Sequence, residues 1–226
     1  MNLSILCITK AEPHALPFLR AMEAVAACAR AEFVVAADGF DAVARMARSE
    51  IDARVVPVAS LGFLESVLEQ AVHACQDGYI LRLDDDERCS PAMGLWLVAQ
   101  EYLVSEHWTF PRVHFWRDEQ SVLMTSQLFP DHQTRLSMKH LAGGRYTLHA
   151  GSPFGPGTYA PVAIEHHKFL VKTREERLAI SQRWHSGPML CFSVPEDAYL
   201  GQTVPLVAYG AGVVPWMPTW SQEVAL

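Results

Sequence analysis

The stretch Gly78–Pro91, GYILRLDDDERCSP, decides the reading of this chain. Tyr79–Leu83 is strand-like, with Arg82 its only charge, and it runs straight into four consecutive carboxylates: Asp84, Asp85, Asp86 and Glu87. Adjacent like charges repel, so positive charge is expected beside them. A solvated acidic loop, or an N-cap cluster for a helix after Pro91, explains such a run equally well on composition alone. What stands upstream shifts the balance.

Leu3–Thr9 (LSILCIT) is apolar enough for a buried strand. Pro13 and Pro17 punctuate the loop after it, and Phe18, Met22, Val25, Ala26 and Ala29 then recur at helical spacing. EFVVAADG is a second buried strand ending in Asp38-Gly39, Asp41–Glu50 a short helix, and ARVVPV a third strand. Leu64, Val67, Leu68, Ala71, Val72 and Cys75 share one helix face, with Glu65, Glu69 and Gln76 opposite. Gly78 is expected to end that helix before YILRL, the fourth strand. The order β-α-β-α-β-α-β predicts an α/β fold with a doubly wound, mostly parallel sheet.

Past Pro91 the spacing predicts a helix over AMGLWLVAQEYLVS, strands over HWTFPRVHFW, RYTLHA and YAPVAIEHH, and a helix over TREERLAISQRWHS. The chain is expected to be one domain, 1–226, with an α/β half over about 1–95 and a mixed half over about 96–226. At 226 residues, 50% hydrophobic and 19% charged, it has the composition of an ordinary globular domain. A net charge of -7 argues against a nucleic-acid footprint. Five scattered cysteines without a CxxC pair fit reduced thiols better than a disulfide framework or a zinc knuckle. No basic leader opens the chain, and its apolar stretches are too short or too broken by Pro and Gly to span a bilayer. The expectation is a cytoplasmic protein, with a peripheral contact at the inner membrane face left open.

Open parallel sheets bind ligands at the carboxyl ends of their strands. Asp38 and the Asp84–Glu87 run both arrive there. If the backbone stays extended, Asp84 and Asp86 face one side and make a site for a hard divalent cation, Mg²⁺ or Mn²⁺.

SILCITK, FVVAADG, LGFLESVLEQA and DGYILRLDDDE, in this order and spacing, resemble the nucleotide-binding half of family 2 glycosyltransferases of the GT-A fold. LFPDHQTRLS and IEHHKFLVKTREER are similar to later parts of short members. The resemblance implies that Asp84 and Asp86 are D-x-D carboxylates holding a metal on the diphosphate of a nucleotide sugar, with Asp86 the direct ligand. It assigns donor contacts to Thr9, Lys10, Asp38, Asp84 and Arg82, and a third metal ligand to His166 or its neighbour His167. Asp131, shortly before Q-x-R-L, is the favoured acceptor base over Asp118, Glu119 and the Glu196-Asp197 pair. Lys168, Lys172, Arg174 and Arg177 are read either as a lid over the diphosphate or as a helix-start charge cluster.

The implied reaction is metal-dependent transfer of a sugar, with inversion, from a UDP-, dTDP- or GDP-sugar to a saccharide or lipid-linked saccharide. Two other readings stand beside it. A nucleotidyltransferase shares the fold, but it usually opens with a Gly-rich basic loop, which TKAEPHALP is not. A non-catalytic nucleotide-binding module also keeps the pocket, but both D-x-D carboxylates are present.

Overall fold

The computed structural model describes residues 1–61, 64–116, 118–123, 131–142, 157–177, 179 and 203–205. Four parallel strands form its centre: β1 (Leu3–Thr9), β2 (Glu32–Asp38), β3 (Arg54–Val58) and β4 (Tyr79–Asp84). β1 lies between β2 and β4, because the chain winds outward through β2 and β3 and then returns to the other flank of β1. That reversal opens a crevice at the carboxyl ends of β1 and β4.

All seven residues of β1 are buried, since both faces of the sheet are covered. Leu3, Ile5 and Cys7 pack with α1 (Leu16–Ala29) and α2 (Phe40–Arg48), while Leu6 and Ile8 pack with α3 (Leu68–Ala74). Phe18, Leu19, Met22 and Ala26 are the buried stripe of α1. Pro17 belongs to the first turn of that helix and not to the preceding loop; its missing N–H is one the helix start would leave unbonded. The third helix is also shorter than its apolar stripe predicts, opening as a 3-10 turn over Leu64–Val67 and ending at Cys75.

Gly78 instead serves the turn into β4. Its φ is +142°, and a Cβ there would stand 2.2 Å from the Asn2 carbonyl oxygen.

Asp84 ends β4, Asp85 and Asp86 form a tight turn, and Glu87–Cys89 is the short strand β5. Ser90 then caps α4 (Pro91–Val98), its hydroxyl accepting from the Met93 N–H at 3.1 Å. The cap is therefore the serine, and the carboxylates are left for other partners. The apolar run after Pro91 is not one helix: Gln100, at φ 58°, separates α4 from a 3-10 turn at Glu101–Val104.

The second half is mixed, as expected. β6 (His107–Trp116) runs antiparallel to β7 (Asp118–Leu123) and to β8 (Asp131–Met138), and β8 closes antiparallel onto β4. Thr158–Tyr159 (β9) and Ile164–His166 (β10) join β6 in parallel, and β10 also pairs antiparallel with β5. Short helices follow at Lys139–Ala142 (α5) and Lys168–Val171 (α6), and Thr203–Pro205 (β11) lines β7. The strand expected over RYTLHA, most of the last helix and Glu196-Asp197 lie outside the described residues. Among the described residues, no helix is long and apolar enough to cross a membrane.

Candidate active site

Strand pairing brings β4, β8, β6, β10 and β5 together, and their polar side chains meet at the acidic turn. β8 delivers Asp131, Gln133 and Arg135 at every second residue, while β6 delivers Arg112 and His114 in the same way. The repulsion built into DDDE is offset here by the chain's own cations. Arg135 donates to Asp84 Oδ2 (2.6 Å) and Glu87 Oε1 (2.9 Å), and Arg112 Nη1 donates to the same Glu87 oxygen at 2.8 Å. Glu87 is fully buried and its other oxygen accepts the Asp84 N–H at 2.9 Å, closing the turn on itself.

Asp84 and Asp86 do not act as a pair. The strand ends at Asp84, so the alternation that would align them stops before Asp86. Asp84 turns to Arg135. Burial raises its pKa, but the guanidiniums of Arg135, Arg82 and Arg112 outweigh this and bring it down to about 2. Asp86 turns the other way: Oδ2 accepts from the Lys172 ammonium at 2.5 Å, and Oδ1 faces His166 Nε2 at 3.2 Å. Asp85 bonds the Thr9 hydroxyl at 2.7 Å, and burial together with Asp86 raises it to about 6.

His166 is the member of its pair that faces the acidic turn. His167, one residue on, packs between Phe18 and Phe115 and lies 3.5 Å from Glu165, which Arg88 also holds. Behind His166 stands a chain of bonds: His166 Nδ1 to His114 Nδ1 at 2.9 Å, then His114 Nε2 to Asp131 Oδ2 at 2.9 Å. Asp131 also accepts from Arg112 Nε (2.8 Å) and Nη2 (2.5 Å), and from Gln133 Nε2 (2.8 Å). Burial would raise its carboxyl, but Arg112 and His114 hold it well below the usual carboxylate range. A carboxylate so strongly held is a weak proton acceptor.

The hydrogens along this chain can be counted. An ionised Asp131 cannot donate, so His114 carries its proton on Nε2 and accepts at Nδ1. His166 must then donate from Nδ1, which leaves a lone pair on Nε2 aimed at an ionised Asp86. Burial and Arg112 push the His166 pKa down to about 3. His166 Nε2 and Asp86 Oδ1 face each other at 3.2 Å. That donor set fits a divalent cation. Among the described residues no group of three or more His, Cys, Asp or Glu side chains could by itself hold a metal ion. The remaining ligands would be phosphate oxygens and water, as is usual for Mg²⁺-type ions.

The other predicted donor contacts lie along the same sheet edge. Thr9 both donates to Asp85 and accepts from the Ala11 N–H at 2.8 Å. Lys10 is exposed, and its carbonyl is held by Arg45. Asp38 accepts from the Ser60 N–H (2.8 Å) and hydroxyl (2.7 Å), fixing the loop after β3. A cavity of about 550 Å³ opens beside it, lined by Gly39, Phe40, Val43 and Val58 among others. Arg82 is half-buried two residues before Asp84. Arg112 and His114 were not foreseen. Period-2 alternation in FPRVHFW would have put them on one face, but nothing local tells which strand faces the acidic turn.

No family model matches the chain, and no match is found among curated proteins. Among solved structures, the whole chain aligns with 76% of residues 1–349 of S. aureus TarS, at 11% identity and a TM-score of 0.51. The fold is GT-A-like. At that identity the likeness shows the fold alone. Against a longer TarS chain, 84% of this chain aligns with 40% of that one, at 11% identity and a TM-score of 0.45. Against 4-diphosphocytidyl-2C-methyl-D-erythritol synthase from Anaerococcus prevotii DSM 20548 the shares are 81% and 98%, at 10% identity and a TM-score of 0.47. TarS 1–349 has also been crystallised with UDP.

Proposed function

We propose that the chain is a glycosyltransferase that takes its sugar from a nucleotide donor. One observation carries the reading: at the switch point between β1 and β4 of a GT-A-like sheet, His166 Nε2 and Asp86 Oδ1 face each other at 3.2 Å. A divalent cation there would stabilise the charge that develops on a departing nucleoside diphosphate, without a proton donor. The chain's own residues do the rest. Arg135 and Arg112 hold Asp84 and Glu87 in place, and Lys172 lends a second positive charge beside Asp86. The proposed nucleoside pocket is the cavity next to Asp38. The proposed donors are UDP-, dTDP- and GDP-sugars, and the proposed acceptor is the hydroxyl of a saccharide or lipid-linked saccharide.

Thermal unfolding with each nucleotide sugar and each nucleoside triphosphate, in Mn²⁺, tests the reading. A ligand at 100 times its Kd adds about 2.7 kcal/mol, a rise of about 5–10 °C at this chain length. The expected result is a rise with one nucleotide sugar. A rise with a triphosphate alone would assign nucleotidyl transfer, for which the glycine-free loop after β1 is poorly built. No rise with any of them would remove the transferase reading.

A further inference from the structure

We infer that His114 and Asp131 are positioning residues: they set the tautomer of His166, so that its Nε2 lone pair, together with Asp86 Oδ1, forms a two-donor half-site for a divalent cation. The inference rests on the reading of Asp86 and His166 as a cation site and assigns two further residues to it.

The geometry allows little freedom. Asp131 is pinned by Arg112 through two bonds, so its Oδ2 can only accept, and His114 Nε2 is the donor at 2.9 Å. His114 has then one lone pair left, on Nδ1, and His166 Nδ1 is the atom in front of it at 2.9 Å. Both rings are buried, so water cannot substitute as a partner. Phe169 packs against the His114 ring, their centroids 5.9 Å apart. The order Asp131, His114, His166, Asp86 is thus a directed chain. Each link passes an N–H toward Asp131 and leaves a lone pair toward Asp86. Partners behind a ligating histidine typically contribute 10–100-fold to metal affinity. Lys172 stays compatible with the site, because it occupies Oδ2 and leaves Oδ1 to the ion.

Mn²⁺ alone, titrated into the full chain and followed by loss of the free-ion EPR signal, tests this. Wild type should bind one equivalent, and His166→Ala should abolish it. His114→Leu removes the acceptor for His166 Nδ1–H and should weaken binding by about 10-fold or more. His114→Gln is the informative variant: its amide donates to Asp131 and its carbonyl accepts from His166, so binding should stay within about threefold of wild type. Far-UV circular dichroism and the unfolding midpoint verify that each variant folds. If His114→Leu binds Mn²⁺ as wild type does, or His114→Gln loses as much as His114→Leu, the inference is overturned. If wild type binds no Mn²⁺, the cation site and this inference fall together. The transferase reading then stands or falls separately on the nucleotide-sugar shifts.

Discussion

Arg135 is the residue on which the acidic turn depends most for its stability. Its side chain is 3% exposed and makes short bonds to Asp84 and to Glu87, whose side chain is fully buried. Replacing it by Met keeps the volume and removes the charge, which leaves a buried carboxylate short of a partner. Breaking a buried ion pair from one side costs about 3–5 kcal/mol. At about 2–4 °C per kcal/mol for a chain of this length, the unfolding midpoint should fall by about 6–20 °C. Urea unfolding followed by tryptophan fluorescence measures the loss directly. Arg135→Met/Glu87→Gln removes both charges, and the two losses should be subadditive by about 1–3 kcal/mol. A loss under about 1 kcal/mol for Arg135→Met, or strict additivity in the double variant, would refute the claim that this cation offsets the repulsion of the acidic run.

Two further outcomes test the sheet that carries the site. Glu32 accepts from Arg54, Ser4 and the Gln76 N–H; burial works against its charge, but these bonds hold its pKa below the usual glutamate value. A depressed carboxyl contributes stability above its unfolded pKa and loses it as pH falls through the folded one. Wild type should therefore lose stability faster than Glu32→Gln below about pH 4.3, the ordinary glutamate value; parallel pH curves would contradict this. Gly78→Ala places a Cβ 2.2 Å from the Asn2 carbonyl at a φ of +142°, and should cost about 1–3 kcal/mol in urea unfolding. An unchanged midpoint would show that the β4 turn relaxes freely.

The sequence by itself determined the first half of this protein. Burial on both faces makes the parallel strands continuous apolar runs, and Leu3–Thr9, Glu32–Asp38 and Tyr79–Asp84 can be read from composition. Helix stripes at Phe18–Ala26 and Leu68–Cys75 supply the covering layers. The topology follows, and with it the edge at which Asp84–Glu87 must emerge. The pairing of one acid with His166 was legible too, but only by resemblance and not from spacing.

Tertiary structure decided the partners. An acidic run states its charge but not what neutralises it. Arg112 lies 25 residues from Glu87, Arg135 lies 48, and Lys172 lies 86 residues from Asp86. Bonds of that range depend on the register of antiparallel strands, and one residue of slip would turn every side chain to the opposite face. The same register brings Asp131 against Arg112 and His114. It also set His166 toward Asp86 and His167 into the apolar core. Local pattern fixes which residues are strand or helix, because it reflects burial and backbone geometry. A polar site is made by atoms that the chain brings together only after its strands have paired.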